Sequence, residues 1–271
     1  MDRPPSVCVI CTFFNAEDTL EATLRSLQDQ TAAEAQFILV DDGSVDRGAE
    51  IAEEFCIRDP RFVLYTNPVR GRGNALNFGV ARAGSEFVAI LDADDLAYST
   101  WLDDALAMMR DAPEFAAIGF ERLTIRGDAP PPWSLASRPV AEPAPKNVTR
   151  DLCRANLLPH SGAVIRKSRL VEVGCYDAHR RNLYDYDLWI RLAMAGNQLG
   201  RSGLIRIAKR YHEGQKFAHS KRYTLESLKV QCRAILGIER DYRNLLWLAL
   251  RAVREFARYL RRAVWQESKG R

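Results

Sequence analysis

Residues 38–44 read Ile-Leu-Val-Asp-Asp-Gly-Ser, and residues 87–95 read Phe-Val-Ala-Ile-Leu-Asp-Ala-Asp-Asp. In both stretches an apolar run ends abruptly in carboxylates. A continuous apolar run is typical of a strand buried on both faces of a parallel sheet that helices cover. Open α/β sheets bind their ligands outside the carboxyl ends of such strands. Two acidic clusters at one edge would repel each other, so we expect a divalent cation and an anionic ligand between them, most simply a nucleotide diphosphate.

The overall composition is that of an ordinary globular chain. Its 271 residues are 47% hydrophobic and 27% charged, with a formal net charge of +4, which predicts one large domain or one domain with an appendage. This charge is too small to indicate nucleic acid, and we expect no such partner. No apolar run approaches the ~18 residues that span a bilayer, and the N-terminus lacks a signal-peptide pattern. Six cysteines without a regular spacing indicate reduced thiols and a cytoplasmic location.

One cysteine pair, Cys8 and Cys11, forms a C-x-x-C that could be redox-active or metal-binding. Both residues lie in a strand pattern, in which positions three apart point to opposite faces. We therefore interpret them as buried small hydrophobic residues.

The first ~125 residues alternate strand and helix patterns, which is the signature of β-α-β units. Asn15 and Asp46 stand where they would cap the first two helices, and Thr100 with Asp103 forms a capping-box pattern. The expected strands are 7–12, 37–40, 62–65, 87–91 and 115–120, and the expected helices are 16–29, 47–55, 74–83 and 101–110.

The pattern changes after Arg126. Six prolines between residues 130 and 145 exclude a regular helix or a central strand there. An ordered segment at 148–157, a strand at 162–166 and a helix containing 184–195 follow. The last ~50 residues, from Lys221 on, predict two helices.

Asp92-Ala93-Asp94 is a D-x-D on the loop that leaves a buried strand. Carboxylate oxygens are hard ligands that suit Mg²⁺ or Mn²⁺. By itself the motif is common by chance, and one aspartate could cap the next helix while the others face solvent. Its pairing with Asp41-Asp42 at the end of another strand favours the metal site.

A second acidic group follows at residues 184–191, Tyr-Asp-Tyr-Asp-Leu-Trp-Ile-Arg. Asp187 and Arg191 are four apart on a helix and can simply pair. Asp185 falls in the first turn, where the helix dipole favours a carboxylate. A carboxylate held there could serve as a general base.

The order and spacing of these motifs resemble glycosyltransferase family 2, the inverting, metal-dependent transferases of the GT-A fold. The similarity covers residues ~6 to ~215. Residues 12–17 resemble P-x-Y-N-x-E, residues 40–46 resemble V-D-D-G-S-x-D, and 71–79 and 91–95 continue the pattern. Residues 174–177 and 185–192 are similar to the acceptor-side pattern G-G-Y-D…E-D-Y-D-L-W-x-R-L.

The resemblance implies a fold and an activity. The fold is α/β, a Rossmann-like nucleotide-diphospho-sugar transferase fold with a mostly parallel central sheet and C-terminal helices. Residues 1–220 would be the transferase domain, divided into a donor-nucleotide half (1–125) and an acceptor half (126–220), with a helical extension at 221–271. The activity would be that of an inverting hexosyltransferase that uses a nucleotide sugar, with UDP as the expected nucleotide, in polysaccharide, lipopolysaccharide or glycolipid assembly. The acceptor would be a sugar or a lipid-linked sugar.

The resemblance also implies roles for single residues. Thr12 and Phe14 would line the nucleobase pocket, Asp42 would be hydrogen-bonded to a ring nitrogen of the base, and Arg72 would lie near the donor. Asp92 would contact the ribose or a metal-bound water, and Asp94 would ligate Mn²⁺ or Mg²⁺. Asp185 would be the catalytic base. His212 would lie over the diphosphate or the metal.

The chain departs from the family pattern in its opening, where Thr12-Phe13-Phe14 stands in place of P-x-Y, and at Tyr184. Phe14 replaces a tyrosine, which removes a hydroxyl and little stacking surface. Tyr184 stands where a glutamate usually precedes the base, so the role of that glutamate is open. His160 resembles an element near the acceptor, and a purely structural histidine fits equally well.

Two other functions compete. A sugar-nucleotidyltransferase would carry a glycine-rich basic loop after its first strand, where this chain has Thr12-Phe13-Phe14-Asn15. A catalytically inactive GT-A-like binding protein is compatible with Tyr184, although the retention of Asp94 and Asp185 favours an enzyme. A dinucleotide-binding dehydrogenase is disfavoured because Gly71-x-Gly73 lacks the third glycine and does not follow the first strand.

The segment 240–265 mixes apolar residues with seven arginines, a pattern that suits an anionic membrane surface. An amphipathic helix that packs on the catalytic domain has the same pattern. The first interpretation places a cytoplasmic enzyme at the inner face of the membrane.

This interpretation predicts that the full chain floats with anionic vesicles at low salt and is released at high salt. Each Lys or Arg near such a surface contributes ~1 kcal/mol, and the attraction fades within a Debye length. Flotation with phosphatidylcholine vesicles is the control. Protein that stays at the bottom of the gradient with anionic vesicles at low salt would show that the segment is a packing element.

Overall fold

The computed structural model describes residues 4–127, 131–135, 144–180, 182–211, 221–239 and 248–250. The strands are β1 (Val7–Phe13), β2 (Ala35–Asp41), β3 (Phe62–Thr66), β4 (Phe87–Ile90), β5 (Asp95–Ala97), β6 (Phe115–Arg126), β7 (Lys146–Asn147), β8 (Val164–Arg166) and β9 (Gln198–Tyr211). The α-helices are α1 (Glu17–Gln28), α2 (Gly48–Arg58), α3 (Arg72–Arg82), α4 (Trp101–Asp111), α5 (Lys167–Glu172), α6 (Tyr184–Met194) and α7 (Lys221–Ala234). Two 3₁₀ turns, Trp133–Leu135 and Asp151–Cys153, and a π-helical turn, Ile235–Glu239, complete the described elements.

The described strands form one mixed sheet in the order β3-β2-β1-β4-β8-β6-β9-β5, with β7 paired to β9. The first four strands in this order are parallel, and β6 also runs parallel to β9. The antiparallel pairings of β8, β5 and β7 are short. The longer pairings are thus parallel, as the apolar runs predict, and the carboxyl ends of β1, β2 and β4 meet at one edge.

Helices cover both faces of this sheet. Apolar residues of α1, α2 and α4 pack on the face that carries Val9 and Cys11. The opposite face, with Cys8 and Ile10, packs against α3, α5, α6 and α7. Cys8 and Cys11 therefore point to opposite faces as buried residues, and all six cysteines are free thiols. A redox or metal role for the C-x-x-C would need both thiols on one side.

Of the two caps predicted for α1 and α2, Asp46 bonds the start of its own helix, since its Oδ1 accepts the N–H of Gly48 at 3.0 Å, whereas Asn15 does not. Asn15 has a left-handed φ of 49°, and its Oδ1 accepts the N–H of Val45 at 2.9 Å instead of capping α1. The first turn of α1 is satisfied by the next loop, because the N–H of Glu17 donates to Asp46 Oδ2 at 2.8 Å. In return the N–H of Arg47 donates to Glu17 Oε2 at 3.1 Å. The motifs at 12–17 and 40–46 thus cap each other across two loops.

The capping box at the start of α4 is also wrong. Thr100 Oγ1 donates to Asp104 at 2.7 Å, and Asp103 accepts a hydrogen bond from Thr31 Oγ1 at 2.5 Å. The capping-box pattern assigns the Asp103 carboxylate to the start of α4, but in the structure this carboxylate is bonded to Thr31, from another part of the chain.

Asp187 ties α6 to its neighbours. It is buried, and its carboxylate meets Arg180 at 3.0 Å, Arg191 at 2.8 Å and Arg233 of α7 at 3.2 Å. The predicted pairing of Asp187 with Arg191 is confirmed. A buried carboxylate shared by three guanidinium groups holds structure together and is not available as a base.

The C-terminal prediction falls largely outside the described residues. Of the segment 240–265, the structure describes only 248–250. Within the described part of the chain, no helix is both long enough and apolar enough to cross a bilayer.

Gly162 lies in the turn before β8, with a φ of +88°. A Cβ there would lie 2.4 Å from Cγ1 of the buried Ile207, so we predict that Gly162→Ala lowers the free energy of unfolding by about 2–4 kcal/mol, through backbone strain and overpacking. Urea denaturation measures the loss. Gly84→Ala is the matched control, since nothing lies within 4 Å of its Cβ position, and a change within about 0.5 kcal/mol is expected. Equal stability of the two variants would contradict this reading of the turn.

Candidate active site

A cleft of about 370 Å³ opens at the carboxyl edge of β1, β2 and β4. It gathers six of the residues predicted from the sequence, which come from four separate segments of the chain. These are Thr12, Phe14, Asp42, Arg72, Asp92 and Asp94. His212, the remaining predicted metal ligand, lies outside the described residues.

The two neighbouring aspartates at the end of β2 have different positions. Asp41 is buried and accepts hydrogen bonds from the N–H and the hydroxyl of Ser44, at 2.8 and 2.6 Å. Asp42 lines the cleft and accepts the N–H of Gly71 at 2.8 Å and the amide of Asn67 at 2.6 Å. Asp41 therefore fixes the turn, and Asp42 alone can meet a ligand.

Phe14 lies at the mouth of the cleft with 49% of its surface exposed. The guanidinium carbon of Arg70 lies 4.8 Å from the centroid of its ring. Arg70 also donates to the backbone carbonyls of Asp42 and Gly43, at 3.3 and 2.9 Å. An exposed ring beside a fixed guanidinium suits a planar base. Arg70 was not singled out from the sequence, because no local pattern shows that it lies over Phe14.

Three carboxylates meet at the end of β4. Ligand oxygens of Asp92, Asp94 and Asp95 all lie within 4.8 Å of one another. Burial, reinforced by the charges of Asp92 and Asp94, raises the pKa of Asp95 to about 8. Hard oxygen ligands at this spacing fit Mg²⁺ or Mn²⁺, and a divalent cation would relieve the repulsion among them. The sequence analysis assigned the metal to Asp94, and the structure adds Asp95 to the cluster.

Arg72 supplies positive charge at this acidic edge. Its guanidinium meets Asp92 Oδ1 at 2.5 Å, and Nδ1 of the buried His160 lies 3.7 Å from the same oxygen. Burial by itself would raise the pKa of Asp92, but the charge of Arg72 and the contact with His160 hold it well below its usual range. The sequence analysis expected a metal ion to supply the positive charge between the acidic clusters. In the structure, Arg72 supplies part of that charge.

Lys209 was not recognised from the sequence. It lies on β9 directly opposite Asp95 of β5. Burial, together with the charge of Arg122, lowers its pKa, while the charges of Asp95, Asp92 and Asp94 oppose that shift. The acidic cluster therefore lies between cationic groups from α3 and β9, and only the pairing of strands distant in sequence reveals the second one.

Asp185 occupies the first turn of α6, as predicted. Its Oδ2 accepts a hydrogen bond from the amide of Asn156 at 2.8 Å. Burial would lower the pKa of Arg72, but the charges of Asp92, Asp94 and Asp185 raise it. Asp185 is therefore electrostatically coupled to Arg72, and Asn156 is a third residue, after Arg70 and Lys209, that the sequence analysis missed.

An aromatic cluster lies beneath Arg72. The ring of Tyr184 meets the ring of His160 edge-on, with centroids 5.3 Å apart. Nε2 of His160 lies 3.0 Å from the hydroxyl of Tyr176. His160 therefore has a packing role between the two tyrosines, next to the carboxylate of Asp92.

Comparison with known proteins identifies related sequences. The family model described as "Glycosyl transferase family 2" matches residues 8–168. The amylovoran biosynthesis glycosyltransferase AmsE of Erwinia amylovora is 27% identical over 192 residues, which cover 70% of each chain. A cholesterol galactosyltransferase of Borreliella burgdorferi is 34% identical over 97 residues, or 36% of this chain. The chain spans only about a quarter of that relative's length, 27%.

Two solved structures share the fold. Residues 1–349 of S. aureus TarS, in complex with UDP-GlcNAc, superpose with a TM-score of 0.68 at 19% identity, covering 86% of this chain and 67% of that one. The mannosyltransferase PcManGT from Pyrobaculum calidifontis, in complex with GDP-Man and Mn²⁺, has a TM-score of 0.63 at 18% identity, covering 88% and 65%. At these identities the likeness establishes the GT-A architecture.

Proposed function

The chain belongs to glycosyltransferase family 2, and from that premise we propose that it transfers a sugar from a nucleotide-diphospho-sugar to an acceptor hydroxyl with inversion at the anomeric carbon. UDP is the expected nucleotide, with GDP and dTDP as alternatives. The observation that carries this proposal is the cleft at the carboxyl edge of the sheet, which combines an exposed ring, a carboxylate cluster and a guanidinium.

These residues suggest how the donor would lie. The base would stack on Phe14, and a ring N–H would donate to Asp42, whose carboxylate keeps acceptor capacity beyond its bonds to Gly71 and Asn67. The diphosphate would then extend toward Arg72 and the acidic cluster at 92–95. Residues 1–125 would thus form the donor half of the domain, and 126–220 the acceptor half.

The chemistry of the acidic cluster fits Mn²⁺ or Mg²⁺. Asp94 would hold the cation together with Asp92 and Asp95, and His212 stays a proposed ligand. When bound, the cation neutralises charge that develops on the leaving diphosphate. Arg72 would contribute to the same neutralisation from the other side.

Asp185 would act as the general base. It would accept the proton of the acceptor hydroxyl while that oxygen attacks the anomeric carbon opposite the leaving diphosphate. Asn156 would keep the carboxylate oriented toward the acceptor through its 2.8 Å hydrogen bond. The product would belong to polysaccharide, lipopolysaccharide or glycolipid assembly.

We predict that UDP binds at least about tenfold more tightly with Mn²⁺ than with chelator, because the cation screens the diphosphate from the carboxylates. Asp94→Ala is expected to abolish this difference in isothermal titration calorimetry. Asp111→Ala removes an exposed aspartate at the end of α4. This control variant should keep the difference in UDP affinity between Mn²⁺ and chelator. Equal affinity of the wild type with Mn²⁺ and with chelator would rule out the metal role.

We further predict that Asp185→Asn lowers turnover ~10²–10⁴-fold, the usual contribution of a positioned base. Turnover is measured as nucleotide release from whichever nucleotide sugar the wild type consumes. The melting temperature and the affinity for UDP should stay unchanged, with Asp111→Asn as the matched control. If Asp185→Asn keeps more than about a tenth of the wild-type rate, the base lies elsewhere, and Asp187 is then excluded by its three arginine partners.

A further inference from the structure

Tyr184 connects Arg72, which lines the cleft, to the start of α6. The guanidinium carbon of Arg72 lies 5.1 Å from the centroid of its ring, while the same guanidinium meets Asp92 at 2.5 Å. Tyr184 is also the first residue of α6, directly before Asp185. Tyr184 therefore contacts Arg72 through its ring and is the first residue of the helix that carries the proposed base, Asp185.

The ring of Tyr184 is also packed against other aromatic rings. Its edge-on neighbours are His160 at 5.3 Å and Tyr176 at 6.3 Å between centroids. His160 is itself packed against Trp189, with centroids 6.3 Å apart. A ring with several aromatic neighbours offers Arg72 a fixed face instead of a mobile one.

A neutral ring suits this position better than a carboxylate would. Burial raises the pKa of the Tyr184 phenol, so the ring carries no charge near neutral pH. A cation over an aromatic face is attracted without using its N–H donors. The donors of Arg72 stay available to Asp92 and to a phosphate, whereas a glutamate at this position would compete with both.

We propose that Tyr184 is a positioning residue that holds the Arg72 guanidinium in place for the donor diphosphate. The inference rests on the proposed function, because it assumes that a nucleotide diphosphate occupies this cleft. It assigns a role to the residue at which the chain departs from its family's pattern.

The test measures the affinity for UDP in the presence of MnCl₂ by calorimetry. Tyr184→Leu is expected to weaken binding about 3- to 30-fold, the range of a partly desolvated cation–π contact. Tyr184→Phe keeps the aromatic face and should bind UDP within about twofold of the wild type. In an Arg72→Ala background, Tyr184→Leu should cause no further loss, because its effect passes through Arg72.

Tyr65→Leu is the matched control. Tyr65 of β3 is partly buried. The guanidinium carbon of Arg82 lies 4.7 Å from the centroid of the Tyr65 ring. Removing this ring deletes an equivalent contact away from the cleft, so the affinity for UDP should not change. A similar loss in Tyr65→Leu and Tyr184→Leu would overturn the inference, since it would indicate a general loss of stability.

Two further outcomes separate the inference from the proposed function. If the wild type and Tyr184→Leu bind UDP equally, or if the losses from Arg72→Ala and Tyr184→Leu simply add, the inference fails while the proposed function stands. If the wild type binds none of UDP, GDP and dTDP, the proposed function fails and the inference fails with it.

Discussion

The carboxylates at the carboxyl edge of the sheet need positive charge beside them, and this requirement determines where the neighbouring side chains lie. Two carboxylates about 4 Å apart repel each other by about 4 kcal/mol at an effective dielectric constant of 20. At this edge, oxygens of Asp92, Asp94 and Asp95 all lie within 4.8 Å of one another. Arg72, held against Asp92, offsets part of the repulsion. The fold accepts an unfavourable charge cluster that a bound cation would relieve, which is typical of a functional site and not of a packing interface.

The placement of Arg72 depends on contacts from both halves of the chain. On one side, Asp42 accepts the N–H of Gly71 and fixes the loop that leads into α3. On the other side, Asn77 of α3 exchanges two hydrogen bonds with the backbone of Tyr176. Gly73 lets this turn come close, since a Cβ there would lie 2.9 Å from Cα of Ala178. Glycine is needed at this position because the backbone of the turn occupies the space of a side chain.

Local patterns predicted the framework well because each one reports burial or charge at a single strand. The apolar runs gave β2 and β4, and the acidic residues after them gave Asp42, Asp92 and Asp94 in the cleft. The same reasoning assigned the wrong partners to Asn15 and Thr100. A side chain near a helix start can bond to any partner within reach. Asn15 accepts the N–H of Val45 from another loop, and Thr100 donates to Asp104 of its own helix instead of capping it.

The sequence by itself determined the α/β class, the edge of the sheet that carries the site and half of the residues that line the cleft. The class and the edge follow from periodicity and composition within short windows, whereas Thr12, Phe14 and Arg72 were assigned through the resemblance to glycosyltransferase family 2. Only the tertiary structure decided that Asp41 supports a turn while Asp42 faces the cleft, and that Asp187 binds three arginines while Asp185 lies beside Asn156. It also placed Lys209 opposite Asp95 and Tyr184 beneath Arg72. The contacts of Asp42 with Asn67, of Asp187 with Arg233 and of Asp185 with Asn156 join residues far apart in sequence, and so do those of Lys209 and Tyr184. No local pattern specifies which distant side chain fills a given space.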